Sequence, residues 1–444
     1  MKLALISLGC SKNLVDGENA AGILMKDGTT TLTDRPAEAD VIIVNTCGFI
    51  EQAKKESVET ILSVARYKQT GKLKKLIVTG CFAQRYREEL LAAMPEIDAV
   101  VGTGDVAGIA ETLRETERNE RVVRCGDAGF LPDADTARFL TTPAHLAYLK
   151  IAEGCDRKCT YCVIPELRGP LRSRPVGDIV REAEKLAARG VKELNLLAQE
   201  TTEYGRDLYG KPSLPKLLRE LTGVGGIRWI RLYYLYPASF DDELLELLKN
   251  EEKLCNYIDF PVQHISDRLL KLMGRRMTGA DIRKKLTKIR EALPGAAFRT
   301  SVITGFPGET AAEFKELKEF LEEFCFDYAG VFPYSREEGT PAANMPGQIP
   351  GARKEKRAVE LQNLQRDIAD RKNRAMLGRE VQVLVDKSAH GEDPPEGRME
   401  TQAWDIDGNV SIEEGAVEAG DFVTVRLEQN FDYDFTGTIV NKTI

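Results

Sequence analysis

The stretch Leu146-Ala-Tyr-Leu-Lys-Ile-Ala-Glu-Gly-Cys-Asp-Arg-Lys-Cys-Thr-Tyr-Cys162 decides how the chain is read. Leu146 to Ile151 has the length and composition of a buried strand, and the turn after it carries Cys155, Cys159 and Cys162 in a C-x3-C-x2-C spacing. Three thiolates on one short loop can hold three irons of a 4Fe-4S cube and leave the fourth iron open to a small molecule. Zinc asks for four N or S ligands, usually as two pairs, and no second pair or nearby histidine completes a tetrahedron here.

Downstream, the alternation of strand and helix continues. Tyr148 to Ala152, Glu193 to Ala198, Trp229 to Leu235, Tyr257 to Val262, Phe298 to Thr304 and Ala329 to Pro333 read as six strands. The segments between them, Val176 to Arg189, Ser213 to Leu221, Asp241 to Asn250, Gly279 to Ala292 and Ala311 to Phe324, read as amphipathic helices. A partial (β/α)6 barrel follows, with chemistry at the strand C-termini by analogy with the complete barrel. Gln199-Glu-Thr-Thr202, Gln263-His264 and Ser335-Arg-Glu-Glu338 fall past strand ends and are candidate contacts, or simply polar loops.

Upstream, the pattern of apolar strand followed by cysteine occurs three times. Lys2 to Leu8 runs into Gly9-Cys10, Ala39 to Asn45 into Thr46-Cys47, and Lys75 to Thr79 into Gly80-Cys81. Helical periodicity separates them, over Asp16 to Lys26, Glu51 to Lys68 and Gln84 to Met94, with another strand at Ala99 to Val101. Such alternation implies a parallel α/β sheet, in which all strand C-termini share one edge, so the three thiols converge there. At any single position a buried packing cysteine is the bland alternative. Gly102-Thr-Gly104 ends the fourth strand without a thiol, which leaves a second three-cysteine cluster site with an open iron. Cys125 is a candidate fourth ligand but lacks the preceding glycine turn; Cys255 and Cys325 read as packing residues.

The chain has 444 residues, 42% of them hydrophobic, enough for several cores. No apolar run reaches the length of a membrane helix, and Met1 to Cys10 is too short and wrongly capped for a signal peptide. Nine cysteines in a chain read as unsecreted argue for reduced thiols and a cytoplasmic setting. After a charged helix over Ala352 to Met376, the tail reads as five short strands, Glu380 to Asp386, Gln402 to Ile406, Asn409 to Ile412, Phe422 to Glu428 and Gly437 to Asn441. A small antiparallel, OB-like β-barrel is the economical fold. From Leu377 onward there are five Lys plus Arg and fifteen Asp plus Glu, a net of −10, against −8 for the whole chain. That sign disfavours RNA phosphates and suits a basic protein, with a merely solvated surface as the alternative.

The cysteine triplet, with Tyr161 just before its third thiol, resembles the radical S-adenosylmethionine (SAM) enzymes. Ser301-Val-Ile-Thr-Gly-Phe-Pro-Gly-Glu309 is similar to that family's later strand-to-loop segment, which implies that Ile303 and Gly305 line the adenine of SAM. Over essentially its full length the chain resembles the methylthiotransferases, which implies an N-terminal iron-sulfur domain (residues 1–115), a linker (116–140), a radical SAM barrel (141–350), a connecting helix (351–376) and a TRAM barrel (377–444). The resemblance implies that Cys10, Cys47 and Cys81 hold a sulfur-donating 4Fe-4S cluster, that Cys155, Cys159 and Cys162 hold the SAM-cleaving one, and that a second SAM gives the methyl group. No acid/base pair is required by that scheme.

The two main targets of that family are an adenosine of transfer RNA and an aspartate of ribosomal protein S-twelve. Gly9-Cys-Ser-Lys-Asn-Leu-Val-Asp16, Phe260-Pro-Val-Gln-His264 and Tyr334-Ser-Arg-Glu-Glu-Gly-Thr340 look like the ribosomal-protein branch. The expectation is therefore methylthiolation at the β-carbon of an S-twelve aspartate, with the acidic tail meeting a basic protein and a flavodoxin or ferredoxin as electron donor. A transfer RNA enzyme and a non-catalytic iron-sulfur carrier are the alternatives. Ser11 replaces the family's usual proline after Cys10, and Phe431-Asp-Tyr-Asp-Phe-Thr-Gly437 lacks its tryptophan, which leaves substrate-contact detail open.

Overall fold

Six parallel strands form the N-terminal sheet in the spatial order Thr31–Leu32, Lys2–Ser7, Val41–Thr46, Lys75–Gly80, Ala99–Val101, Val122–Arg124. The computed structural model describes residues 1–118, 120–413 and 415–443. Two of these strands, Thr31–Leu32 and Val122–Arg124, escape a periodicity reading because two or three residues carry no period. The second lies in the stretch read as a linker and instead extends the sheet. Ile42, Val44, Leu76 and Val78 pack on one face, and Val41, Ile43 and Ile77 on the other, so helices cover both sides. Chain order reverses between Lys2–Ser7 and Val41–Thr46, which is where open α/β sheets bind ligands.

The second unit follows the expected strand order without a break: Leu146–Lys150, Glu193–Leu197, Trp229–Leu232, Tyr257–Gln263, Ala297–Thr304 and Tyr328–Pro333. The first and last three form parallel sheets, and Leu235 N donating to Asp259 O at 3.0 Å joins them. Five amphipathic helices, Val176–Ala188, Leu214–Thr222, Asp242–Asn250, Gly279–Ala292 and Ala311–Phe324, bury their leucines and isoleucines against the outer face. Thr278 with Asp281 and Thr310 with Glu313 form capping boxes that fix where two of these helices begin. Inside the curve runs an aromatic column of Tyr148, Trp229, Tyr233 and Tyr257. Val15, from the first helix of the N-terminal domain, caps it at one end.

The C-terminal unit is a closed barrel of Glu380–Lys387, Glu396–Met399, Val410–Ile412, Asp434–Thr443 and Phe422–Phe431. It is antiparallel except for one seam, where Val410–Ile412 runs parallel to Asp434–Thr443. A closed ring with an odd number of strands cannot alternate direction throughout, so one such seam is unavoidable. The strand expected over Gln402 to Ile406 is a correction: the strand lies at Glu396–Met399, and the later segment turns beneath the central barrel. Its apolar residues Ala403 and Trp404 pack into the aromatic column, and Asp407 takes the Tyr257 hydroxyl at 2.7 Å and pairs with Arg299. Arg398 likewise pairs with Glu193 at 2.8 Å. Glu193 and Tyr257 begin their strands, so the C-terminal barrel plugs the end opposite the cysteine loops. Among the described residues no helix is long and apolar enough to cross a membrane.

Candidate active site

Register brings the N-terminal thiols to one edge. Cys10 caps the helix Ser11–Met25, Cys47 follows Val41–Thr46, and Cys81 opens the helix Cys81–Ala93. Two of the three therefore sit at helix N-termini, where the macrodipole favours a thiolate. Asn13 ties the strand ends together by donating to Leu8 O at 2.8 Å and Thr46 O at 3.2 Å. Ser57 clamps Cys47, accepting from its N at 3.1 Å and donating to its O at 3.0 Å. Gly9 has φ +85°, and a Cβ there would meet Cys47 Cβ at 2.7 Å, so the approach of the first two loops requires glycine. Burial pushes the Cys47 thiol up to about 12, with the neighbouring Cys81 and Cys10 adding to the rise. Burial raises Cys81 as well, against the pull of the Arg168 guanidinium.

The barrel triad lies on the loop that leaves Ala152–Glu153. Backbone bonds shape it: Cys162 N to Cys159 O at 3.1 Å, Thr160 N to Met273 O at 3.1 Å, and Ala342 N to Thr160 O at 2.9 Å. Burial pushes the Cys155 thiol up to about 11 and Cys162 up to about 12, with Cys159 raising both further and Cys155 adding to the rise of Cys162. Cationic groups ring the site. Arg157 is held by Glu200 at 2.6 Å and Glu203 at 2.9 Å, and both Arg157 and Arg275 lie over the ring of Tyr236. A cavity of about 410 Å³ opens here, lined by Cys155, Arg157, Lys158, Glu200, Arg275 and Arg276. Tyr161 and Ile303 meet in one apolar cluster with Phe306, Tyr334 and Met273. Gly305 lies under Lys354, whose Cγ would be 2.3 Å from a Cβ, so helix packing already accounts for glycine there.

Both donor sets fit a multi-iron cluster better than a single ion. Among the described residues no group of three or more His, Cys, Asp or Glu side chains could hold one metal ion. The thiols of each triad nevertheless lie close enough to raise one another, and an all-thiol donor set of three is the kind that iron-sulfur clusters take. Thiols raised this far by burial ionise only against a compensating positive charge, which ligation to iron provides.

A buried ionic network joins the two triads. Arg168, 2% exposed, donates to Cys81 Sγ at 3.3 Å and to Asn13 Oδ1 at 3.1 Å, and pairs with Asp16 and, at 3.4 Å, Glu153. Lys150 pairs with the same Asp16 and, at 2.6 Å, with Glu153, while Gln199 also donates to Glu153. Burial alone would push Glu153 up, but the Lys150 and Arg168 cations hold it down to about 2. Cys81, Val163 and Leu167 pack together beside the network and exclude water. The sequence reading missed Lys150, Glu153 and Arg168 as site residues. A lysine inside the apolar run Leu146 to Ile151 was the available signal, since a strand buried on both faces admits a charge only with a partner.

Other candidates resolve differently. Gln199 joins the network, and its Oε1 is buried without a hydrogen-bond partner, an acceptor facing the strand ends. His264 bonds Glu309 at 3.2 Å, and Glu309 in turn accepts from Gly305 N at 2.6 Å and pairs with Arg357. Ser335 and Glu337 dock the domains: Ser335 accepts from Glu51 N at 3.1 Å, and Glu337 pairs with Lys54 at 2.9 Å and Arg85 at 2.6 Å. Cys125 does follow a sheet strand, but its thiol lies toward Ala83 O at 3.7 Å and Val100 O at 3.9 Å and packs with the core there. Cys255 is buried, and Cys325 caps a helix C-terminus with its thiol on Glu322 O at 3.1 Å.

Three family models match the chain in order: Uncharacterized protein family UPF0004 over residues 2–102, Radical SAM superfamily over 149–321 and TRAM domain over 377–440. Among solved structures, the radical S-adenosylmethionine methyltransferase TsrM from Kitasatospora setae, with tryptophan substrate and a SAM analogue bound, has a TM-score of 0.54. It is 15% identical and aligns over 74% of this chain and 72% of that one, a likeness of fold. A relative from Geobacter sulfurreducens is 49% identical over 442 residues, 99% of each chain, and one from Clostridioides difficile is 47% identical over 441 residues, again 99% of each. Both carry the name ribosomal protein uS12 methylthiotransferase RimO. Full-length identity at that level, together with the three domains in the same order, places this chain in the RimO family of ribosomal protein uS12 methylthiotransferases.

Proposed function

We propose that this chain adds a methylthio group to the β-carbon of an aspartate in ribosomal protein uS12, in the cytoplasm, using two 4Fe-4S clusters and SAM. The observation that carries the reading is the Arg168 bridge, which sets Cys81 of one triad and the start of the Cys155 loop on the two sides of a single buried network. When bound, the clusters and SAM supply what no side chain can, removal of hydrogen from a strong C–H bond and a sulfur to replace it.

The chain's own residues hold and shield that chemistry. Cys155, Cys159 and Cys162 would ligate one cluster, and Cys10, Cys47 and Cys81 the other. Tyr161 and Ile303 wall the SAM site from one apolar cluster, and Gln199 Oε1 offers an acceptor at the strand ends. The Arg157, Arg275 and Arg276 cations around Cys155 favour the negative charge of SAM's carboxylate and of the cluster. Val163 and Leu167 pack on Cys81 and keep water from the buried ion pairs beside it, where it would screen the charges that fix the two loops. The acidic C-terminal barrel steers the basic uS12, and a flavodoxin or ferredoxin supplies electrons. The barrel's net negative charge opposes phosphate, so direct RNA binding does not dominate this reading.

Mass spectrometry of uS12 from cells lacking the gene tests this directly. Loss of an adduct of about 46 Da, one methylthio group replacing hydrogen, is the expected outcome. Persistence of the adduct, or loss of a methylthiolated nucleoside from transfer RNA instead, would overturn it.

A further inference from the structure

Lys12 lies two residues past Cys10, in the first turn of the helix Ser11–Met25. It is 8% exposed, and its Nζ sits 3.3 Å from the centroid of the Tyr234 ring. Other buried cations around the domain interface have carboxylate partners: Lys150 and Arg168 share Asp16 and Glu153, Arg138 takes Glu18 at 2.7 Å, and Arg231 takes Glu193 at 3.0 Å. Among the described residues no carboxylate lies within ion-pair distance of Lys12; Tyr234 and the Cys10 thiol are its strongest polar neighbours, and Glu153 and Asp259 act on it more weakly. Tyr234 is itself fixed, with φ +56° and its N donating to Asp259 Oδ2 at 2.9 Å. A buried ammonium without a carboxylate is costly, and an aromatic face and a thiol already committed to the cysteine set compensate only in part. The side chain reaches from the Cys10 loop to Tyr234, just past the C-terminal end of Trp229–Leu232, on the same strand-end edge of the barrel from which the Cys155 loop departs.

From this geometry we propose that Lys12 is the receptor for the carboxylate of the target aspartate, holding its β-carbon between the cysteine sets. The inference rests on the function proposed above. An ammonium-carboxylate bond formed away from water supplies both affinity and orientation, and it is lost when the target carries an amide. The Tyr234 ring holds the ammonium in place until the carboxylate arrives. Lys12 is in this sense a positioning residue of the substrate.

The test is binding of a labelled peptide spanning the target aspartate, and of its Asp-to-Asn copy, to anaerobically prepared full-length protein by fluorescence anisotropy. Wild type is expected to prefer the aspartate peptide by about tenfold or more. The Lys12→Gln variant should close that gap, and Lys12→Arg, which keeps the charge, should restore most of it. Iron content is measured on each variant, and the Arg variant guards against a Gln variant that fails to load. A gap unchanged in Lys12→Gln, or a Lys12→Arg protein that loses the preference while holding full iron, would overturn the assignment. Failure of wild type to methylthiolate uS12 at all would instead sink the function itself, so the two failures are told apart.

Discussion

Cys155, Cys159 and Cys162 sit on one loop whose shape is set by a few backbone hydrogen bonds, whereas Cys10, Cys47 and Cys81 come from three strand ends and meet only when the sheet has paired. The first set is local and the second is tertiary. A local set depends on little beyond its own residues and the chain they touch, and a distributed one inherits every requirement of the sheet: register, the Gly9 approach to Cys47, and the Asn13 tie between Leu8 and Thr46. Both end with three thiols, so the difference lies in how each can fail.

The largest expected effect separates the two sets by function. Cys159→Ala should abolish both SAM cleavage and methylthiolation, while Cys47→Ala should lower methylthiolation by roughly three orders of magnitude and leave SAM cleavage running. Liquid chromatography of 5'-deoxyadenosine beside mass spectrometry of uS12 measures the pair, with iron content near half of wild type in each. Equal loss of SAM cleavage in the two variants would mean that the sets are one site and break the comparison.

That same contrast explains what could be read from residues alone. Cys155, Cys159, Cys162 and Tyr161 are adjacent in sequence, so their grouping needs no fold. The N-terminal triad was legible only through topology, because a parallel sheet sends every strand end to one edge, and the long strands announce themselves by apolar runs. What stayed hidden depends on packing across domains. Val122–Arg124 is too short to show a period, and the turn at Gln402 to Ile406 looks strand-like because its apolar residues serve a neighbouring barrel's core. Arg168 and Glu153 belong to a network whose members lie far apart in the chain, so no spacing rule finds them.

A second, smaller effect tests whether that network is the hinge of the comparison. Glu153 has its ordinary carboxyl value of 4.5 when unfolded and about 2 when folded. A lowered acid contributes stability that is complete above its ordinary value and fades as pH falls toward the folded one. Glu153 should therefore supply on the order of 3 kcal/mol at neutral pH, lost between about pH 5 and 2. Urea unfolding of cluster-free protein across that window measures it. Glu153→Gln should unfold at lower urea at pH 7 than wild type, with the gap narrowing as pH drops. Arg168→Met, which leaves Asp16 and Glu153 to share the single cation Lys150, should cost roughly 3–5 kcal/mol and show the same convergence. A constant gap from pH 7 to 2 would mean that the network holds no charge and that the triads are joined by packing alone.

The smallest effect concerns the far end of the molecule. The net of −10 in the tail overstates what a partner meets, because Asp386 and Asp407 are turned inward onto Arg398 and Arg299. Glu392, Asp393, Asp405, Glu413, Glu418 and Asp432 remain exposed. They belong to a barrel that plugs the strand N-termini, opposite the cysteine loops, so in the function proposed above this charge would act on uS12 through its field and not by touching the reacting aspartate. Reversing Glu392 and Asp393 to lysine should then slow association with uS12 a few-fold at low ionic strength, an effect that vanishes near 0.5 M salt, where screening reaches only about 4 Å. Stopped-flow fluorescence at several salt concentrations reads this. The turnover number at saturating uS12 should not move, since steering changes encounter and leaves the site untouched. A variant that loses turnover with an unchanged association rate would place the acidic barrel in the reaction and erase the division of labour between the molecule's two ends.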